Sequence, residues 1–252
     1  MTNREPAYRI LTQTLNELGM PVKDHCVALD YGCGGGDLVY LMRNNNINAF
    51  GCDIEFKPSE NKNKLIENGF IRLMDNQTYN IPFEDNFFDM VVSNQVFEHV
   101  QDYNHSFKEI KRVLKPGGVS LHSFPSKYRI IESHVKVPFA TIIQNKYWLF
   151  VWAMFGFYAT KIKKPLNFKL LWKIACKNAS YLLNRTNYLN RKEIVAYALN
   201  HFQTIEFCEH AFIKFTPRNT QLMKWSKIIR FLPFLYSTFR TRVILLRKKL
   251  DK

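Results

Sequence analysis

Ala28-Leu29-Asp30-Tyr31-Gly32-Cys33-Gly34-Gly35-Gly36-Asp37 is a short apolar run that breaks into a glycine loop with a carboxylate at its mouth. Val27 to Leu29 reads as a buried parallel strand, and Asp37 to Arg43 as the helix that follows it. Glycines at alternate positions let the backbone turn tightly and come close to a ligand, because no Cβ stands in the way. Open parallel sheets take their ligands just outside the carboxyl ends of the strands. The stretch therefore predicts a cofactor shelf, although one such loop by itself is also an ordinary strand-to-helix turn.

The charges around the shelf select its ligand. A dinucleotide fingerprint, G-x-G-x-x-G, counted from Gly32 and Gly34 puts its third glycine at Asp37. That acidic residue stands at the helix N-terminus, where a pyrophosphate would sit. Asp30 adds a second negative charge at the end of the strand. Two carboxylates repel a diphosphate and suit a cationic ligand without phosphate, such as S-adenosylmethionine with its sulfonium and ammonium. Asn48-Ala-Phe-Gly-Cys-Asp53 is a second strand ending in an acid, placed to accept the two ribose hydroxyls. Phe70-Ile-Arg-Leu-Met-Asp75 repeats the pattern, with Asp75 and Asn76 set to meet an adenine amino edge. Phe87 to Asn94 is a fourth strand, and Val119 to Phe124, after the turn Lys115-Pro-Gly-Gly118, a fifth. Strands alternating with helical patterns predict an α/β protein with a doubly wound parallel sheet.

In this order, Leu29-Asp-Tyr-Gly-Cys-Gly-Gly-Gly36, Gly51-Cys-Asp53, Ile81-Pro-Phe-Glu-Asp-Asn-Phe-Phe-Asp89, Phe97-Glu-His-Val100 and Leu114-Lys-Pro-Gly-Gly118 resemble the motifs of class I S-adenosylmethionine-dependent methyltransferases. The resemblance is continuous from Ala28 to Pro125 and looser over 189–252. It implies a Rossmann-like doubly wound seven-stranded sheet. The final strand, Arg240 to Arg247, would run antiparallel beside the fifth, and an α-helical insertion would follow the fifth strand. It implies S-adenosylmethionine as cofactor and methyl transfer as activity. The implied cofactor-binding set is Asp30, Gly32, Cys33, Gly34, Asp53, Ile54, Asp75, Asn76, Asn94 and Gln95. The core is expected at 1–125 and 189–252. Residues 126–188, far longer than an ordinary connection, are expected to be a helical insertion or lid for substrate recognition. Tyr188 to Asn200 returns to helix, Thr204 to Cys208 to strand, and Pro217 to Phe239 forms a second, smaller excursion.

Composition narrows the partners. Apolar residues make up 46% of the 252, ordinary for a globular chain. Cys26, Cys33, Cys52, Cys176 and Cys208 are odd in number and lack metal spacing, so reduced thiols, a cytoplasmic location and no metal are expected. Met1 to Pro21 is polar, and Tyr8, Leu11, Leu15 and Leu18 have the spacing of a covering helix rather than a secretory segment. The net charge of +15 is uneven: residues 1–100 hold 8 Lys+Arg against 14 Asp+Glu, and residues 101–252 hold 28 against 7. The second half therefore faces an anionic membrane surface, a phosphorylated substrate or nucleic acid, unless it is only a soluble basic surface.

Lys161-Ile-Lys-Lys-Pro165 precedes a segment in which Lys169, Lys173 and Lys177 fall on one helical face and Leu170, Leu171, Trp172 and Ile174 on the rest. Lys224, Lys227 and Arg230 repeat the design within Leu222 to Leu232. Such helices lie in membrane interfaces, and core helices with a wet side share the pattern. Tyr147 to Tyr158 is too short for a bilayer, which needs about twenty residues; it reads as an apolar lid, a substrate wall or a buried helix. Nucleic acid is disfavoured, because the aromatics cluster in apolar runs rather than on a stacking surface.

Methyl transfer asks the protein for alignment, and for a base if the acceptor is a hydroxyl. Two pairs lie beyond the fourth and fifth strands: Glu98-His99, which is expected to open a helix, and Glu132-x-His134. In the related quinone O-methyltransferases the first pair belongs to a Glu-x-x-Glu-His pattern implicated in metal binding. Here Gln95 replaces the first carboxylate, which speaks against a metal and leaves His99 a structural or pocket-lining residue before a catalytic one. A carboxylate two residues from a histidine can share a strand face with it, so His134 is the expected base and Glu132 its orienter; a loop histidine bonded to backbone is the alternative. Lys127 and Arg129 could hold a phosphate or carboxylate of the acceptor. The segment also resembles a loop of bacterial methyltransferases encoded with surface-polysaccharide and lipid-linked sugar pathways. The expected activity is O-methylation of a lipid-linked, glycan or other anionic cell-envelope precursor, by a protein peripheral on the inner membrane face. The alternatives are a soluble small-molecule acceptor and a non-catalytic S-adenosylmethionine-binding scaffold.

Overall fold

Seven strands form one sheet in the order β3-β2-β1-β4-β5-β7-β6. They are β1 Val27–Tyr31, β2 Asn48–Asp53, β3 Ile71–Leu73, β4 Phe88–Asn94, β5 Leu114–Pro125, β6 Thr204–Phe207 and β7 Thr241–Arg247. The computed structural model describes residues 5–22, 25–159, 167–215 and 232–250. The first five strands pair in parallel, and β7 runs antiparallel between β5 and β6. Strand order reverses at β1, which has β2 on one side and β4 on the other. That reversal opens a crevice at the carboxyl ends of β1 and β4.

Side-chain alternation along the strands builds a core on each face of the sheet. On one face, Ala28, Met90, Val92, Leu121, Val243 and Leu245 pack with Leu38, Val39 and Met42 of α2 (Asp37–Asn44) and Leu15 of α1 (Glu5–Glu17). On the other, Leu29, Val91, Ile244 and Leu246 pack with Phe107, Ile110 and Val113 of α4 (Tyr103–Val113) and Ile194 of α7 (Arg191–Leu199). Phe88, Phe97 and Phe107 are among the largest fully buried side chains, each worth about 2–3 kcal/mol of apolar burial. The short α3 (Lys62–Glu67) links β2 to β3, and α8 (Glu209–Phe215) lies against α1. The helix α9 (Leu232–Phe239) leads into β7.

After β5 the chain leaves the sheet for α5 (Lys146–Met154) and α6 (Phe168–Arg185), each opened by an asparagine that accepts a backbone N–H. These helices share a third cluster with the loop that precedes them: Val135, Val137, Ala140, Leu149, Ala175 and Leu182. Lys169, Lys173 and Lys177 face solvent while Leu171 and Ile174 are buried, so this basic helix is seated on α5 by its apolar side. Tyr147 to Tyr158 is helix only to Met154; it buries Leu149 and Ala153 and leaves Phe155 73% exposed. Lys161 to Pro165, and the stretch carrying Lys224, Lys227 and Arg230, lie outside the described residues. Among the described residues no helix is long and apolar enough to cross a membrane.

Two local expectations need correction. The fifth strand starts at Leu114 rather than Val119: Phe88 pairs with Leu114 and Met90 with Val119, so the Lys115-to-Gly118 turn is absorbed as an irregularity within the ladder. Glu98 and His99 do not open a helix either. They sit in a single 3-10 turn, Phe97–His99, and α4 begins only at Tyr103, where Asp102 caps it by accepting the His105 N–H at 2.9 Å.

Candidate functional site

The glycine loop lies at the carboxyl ends of β1 and β2. Gly32 has φ +80°, and a Cβ there would come within 2.3 Å of Val96 Cγ2, so the loop and the segment after β4 touch backbone to side chain. Gly34, with φ +60°, donates its N–H to Asp53 Oδ2 at 2.7 Å. The other Asp53 oxygen accepts only a long 3.3 Å contact from the Glu55 N–H. Beside this acid Ile54 is 42% exposed and Leu73, the strand partner of Asp53, is 56% exposed. An acid with spare acceptor capacity between bare apolar side chains fits a ribose and the purine beyond it. Asp30 is nearly buried under the loop, and Cys33 is buried beneath Gly51.

Other expected positions are engaged locally. Asp75 Oδ1 accepts the N–H groups of Gln77 at 2.6 Å and Thr78 at 3.0 Å, which lowers its pKa and leaves its second oxygen and Asn76 on the exposed loop. Asp37 accepts the Ser59 hydroxyl, so its charge is turned toward the loop after β2. Asn94 Oδ1 accepts the Ser123 hydroxyl at 2.8 Å, and Gln95 takes a left-handed φ of 59° with its side chain in solvent. Asn94 and Ser123 also floor a cavity of about 480 Å³, otherwise walled mainly by apolar residues such as Ile10, Leu11, Leu38 and Phe212.

The second half of the site comes from the loop after β5. Glu132 is 0% exposed and accepts four hydrogen bonds. The N–H groups of His134 and Val135 reach Oε2 at 2.6 Å each; His134 Nδ1 at 2.7 Å and the Tyr188 hydroxyl at 2.6 Å reach Oε1. Burial pushes this carboxyl up, but the bonds from His134, Tyr188 and Val135 outweigh it and hold the pKa at about 2. A carboxylate can only accept, so Nδ1 of His134 carries a proton and, in the neutral ring, Nε2 holds the lone pair.

His134 sits against the turn after β4. Its ring centroid is 4.9 Å from that of His99 and 5.6 Å from that of Tyr181. His99 Nδ1 lies 2.7 Å from the carbonyl of Arg185, so it too is a donor and its Nε2 keeps a lone pair. Burial, then the neighbouring charges of His134 and Lys57, lower the pKa of His99 against the rise from the Arg185 carbonyl. Glu98 is 1% exposed and, among the described residues, neither carboxyl oxygen has a hydrogen-bond partner; burial lifts its pKa to about 7. Lys127 lies 3.5 Å from Glu193, and Arg129 donates to the Ile131 carbonyl, so both cations are partly committed within the protein.

Glu132, His134 and His99 are thus brought together, although 33 positions separate Glu132 from His99. Sequence reasoning missed Tyr188 as the second donor to Glu132. It lies 56 residues further on and carried only a helix signal. Glu98 was seen only as the partner of His99, and nothing local reports that its oxygens end unpaired.

Parts of the chain resemble known proteins. The family described as a methyltransferase domain matches residues 29–121. Demethylmenaquinone methyltransferase of Staphylococcus haemolyticus is 32% identical over 150 residues, 58% of this chain and 59% of that protein. The chain thus spans less than two thirds of that relative. An S-adenosylmethionine-dependent methyltransferase from Mesorhizobium loti superposes with a TM-score of 0.52 at 14% identity, over 98% of both chains. Haemonchus contortus phosphoethanolamine N-methyltransferase 2, in complex with phosphomonomethylethanolamine and S-adenosylhomocysteine, gives a TM-score of 0.50 at 17% identity, over 96% of this chain and 53% of that one. At such identities the two structures establish the fold, and the matched domain reaches from β1 into β5. Over residues 29–121 the chain is similar to the methyltransferase-domain family, and the whole chain shares the fold of S-adenosylmethionine-dependent methyltransferases.

Proposed function

We propose that this protein transfers a methyl group to a hydroxyl of a lipid-linked, glycan or other anionic cell-envelope precursor at the cytoplasmic face of the membrane. The observation that carries the hydroxyl chemistry is the Tyr188–Glu132–His134 chain of hydrogen bonds, which leaves an imidazole lone pair at Nε2 beside the turn after β4. S-adenosylmethionine, when bound, supplies an electrophilic methyl on a sulfonium. Asp53 would hold its ribose, Ile54 and Leu73 would cover its purine, and the Gly32–Gly34 backbone would pass its amino-acid tail. His134 would take the acceptor's proton at Nε2 as the methyl carbon exchanges its bond to sulfur, which leaves as a neutral thioether, for one to the acceptor oxygen. Glu132 stabilises the imidazolium so formed and keeps the ring in the productive tautomer.

A lipophilic acceptor is favoured by two features. The cavity under α1 is chiefly apolar around its polar floor, and the staphylococcal relative is named for a quinone substrate. The membrane-face location draws on the solvent-facing lysines of α6 together with the exposed Tyr147, Phe155 and Phe168 at the α5–α6 hairpin. Labelled-methyl transfer from S-adenosylmethionine into fractionated membranes and soluble extract tests the reading, with liposome flotation on anionic and neutral vesicles beside it. Label should enter a membrane lipid fraction and fall sharply with Asp53→Ala and with His134→Ala. Label confined to soluble compounds with no flotation would replace the acceptor assignment, and cofactor binding without turnover on any fraction would leave a scaffold.

A further inference from the structure

Glu98, His99 and His134 each offer a ligand atom within 4.8 Å of the other two. Both imidazoles are already oriented from behind: His99 Nδ1 by the Arg185 carbonyl and His134 Nδ1 by Glu132, each at 2.7 Å. Such outer partners, a carbonyl on one ring and a carboxylate on the other, fix the tautomer that leaves Nε2 free to ligate a metal and raise its basicity. The third member is a carboxylate buried to 1% exposure with neither oxygen hydrogen-bonded, which is unusual for a buried acid. Three separate observations, two oriented lone pairs and an orphaned carboxylate, therefore meet at one point.

We propose that Glu98, His99 and His134 bind a divalent transition-metal ion, two imidazoles and one carboxylate with positions left open for a further oxygen ligand. Imidazole and carboxylate ligands suit zinc, manganese, iron or cobalt rather than calcium or magnesium. Ligand atoms on such an ion stand about 3.0–3.4 Å apart, given bonds of about 2.1 Å, so the set, which lies within 4.8 Å, would draw closer as it takes up an ion. The site reverses the expectation drawn from Gln95. The ligand missing after β4 is supplied by His134 from the loop beyond β5, and Gln95 itself points to solvent. The proposal goes beyond the methyl-transfer reading and stands without it. With an ion bound, the His134 Nε2 lone pair is a ligand and not a base, so the base role belongs to the metal-free protein.

Isothermal titration of the purified full chain with zinc chloride alone, and with cobalt chloride followed by its visible spectrum, tests the site. One equivalent should bind, with d–d bands of nitrogen and oxygen ligation and no thiolate charge-transfer band. Glu98→Gln and His134→Ala should each weaken zinc at least about 10-fold while S-adenosylmethionine still binds, which shows that the variants are folded. Absence of stoichiometric binding, a thiolate spectrum, or unchanged zinc affinity in both variants would overturn the proposal. Methyl transfer is read separately, so its failure would leave this result untouched.

Discussion

Replacing Glu132 by Gln probes the arrangement behind His134 with almost no change of shape. The carboxylate accepts from the two backbone N–H groups through Oε2, and from His134 Nδ1 and the Tyr188 hydroxyl through Oε1. A glutamine amide has one oxygen and one NH2. Its oxygen must stay on the two backbone donors, which cannot accept, and this turns its NH2 toward His134 Nδ1 and Tyr188. Facing a donor, Nδ1 must accept, so the ring proton moves to Nε2 and the base is lost. Loss of the orienting carboxylate and the wrong tautomer should lower kcat by about 10²–10⁴-fold with KM little changed. Hydrogen bonds to a charged group contribute about 1.5–3 kcal/mol against about 1 for neutral ones. The relief of burying a charge offsets much of that difference, so stability should fall by only about 1–3 kcal/mol. Nitrogen NMR of the His134 ring reads the tautomer, labelled-methyl transfer reads turnover, and urea denaturation reads stability. A variant with the wild-type tautomer, or with the switched tautomer and turnover within twofold of wild type, would refute the reasoning.

Asp53→Ala removes the ribose acceptor and the partner of the Gly34 N–H, and calorimetry should find S-adenosylmethionine bound about 10- to 100-fold more weakly, the worth of hydrogen bonds to a charged group. Gly32→Ala adds a left-handed backbone penalty of about 1–2 kcal/mol to a Cβ overlap with Val96 worth about 1–3 kcal/mol. Its Tm should fall by about 2–4 °C per kcal/mol, and Val96→Ala in the same chain should recover only the overlap. Burial depresses the pKa of His122 to about 3, so as pH falls below about 6.5 the unfolded chain takes up its proton first and the native state does not. Urea denaturation from pH 7 to 5 should therefore include a loss of about 1.4 kcal/mol per pH unit below that point, and His122→Asn should flatten it; an unchanged slope would show that His122 is protonated in the fold.

Legibility varied with sequence distance. The glycine loop, the acids after β1 and β2, and the strand and helix spans up to Asn94 depend on periodicity and on glycines over short windows, and they are found within a residue or two of where they were read. β7 was legible through the family's motifs, because its apolar run says strand but not direction; its antiparallel pairing follows from what lies on either side. The Lys115-to-Gly118 segment reads as a turn because of its proline and glycines, yet β4 draws it into the ladder. Long-range pairing overrode local propensity there.

The amino-acid order alone determined a doubly wound sheet with a shelf at the head of β1, since hydrophobic period, loop glycines and acidic strand ends are local quantities that survive in any context. Only the folded chain decided what surrounds His134. Glu132 is silenced as an acid by two backbone N–H groups, the His134 ring and Tyr188, and Glu98 is stranded without a donor among the described residues. Those outcomes depend on burial and on hydrogen bonds between segments tens of residues apart, and the spacing of residues along a chain carries no record of either.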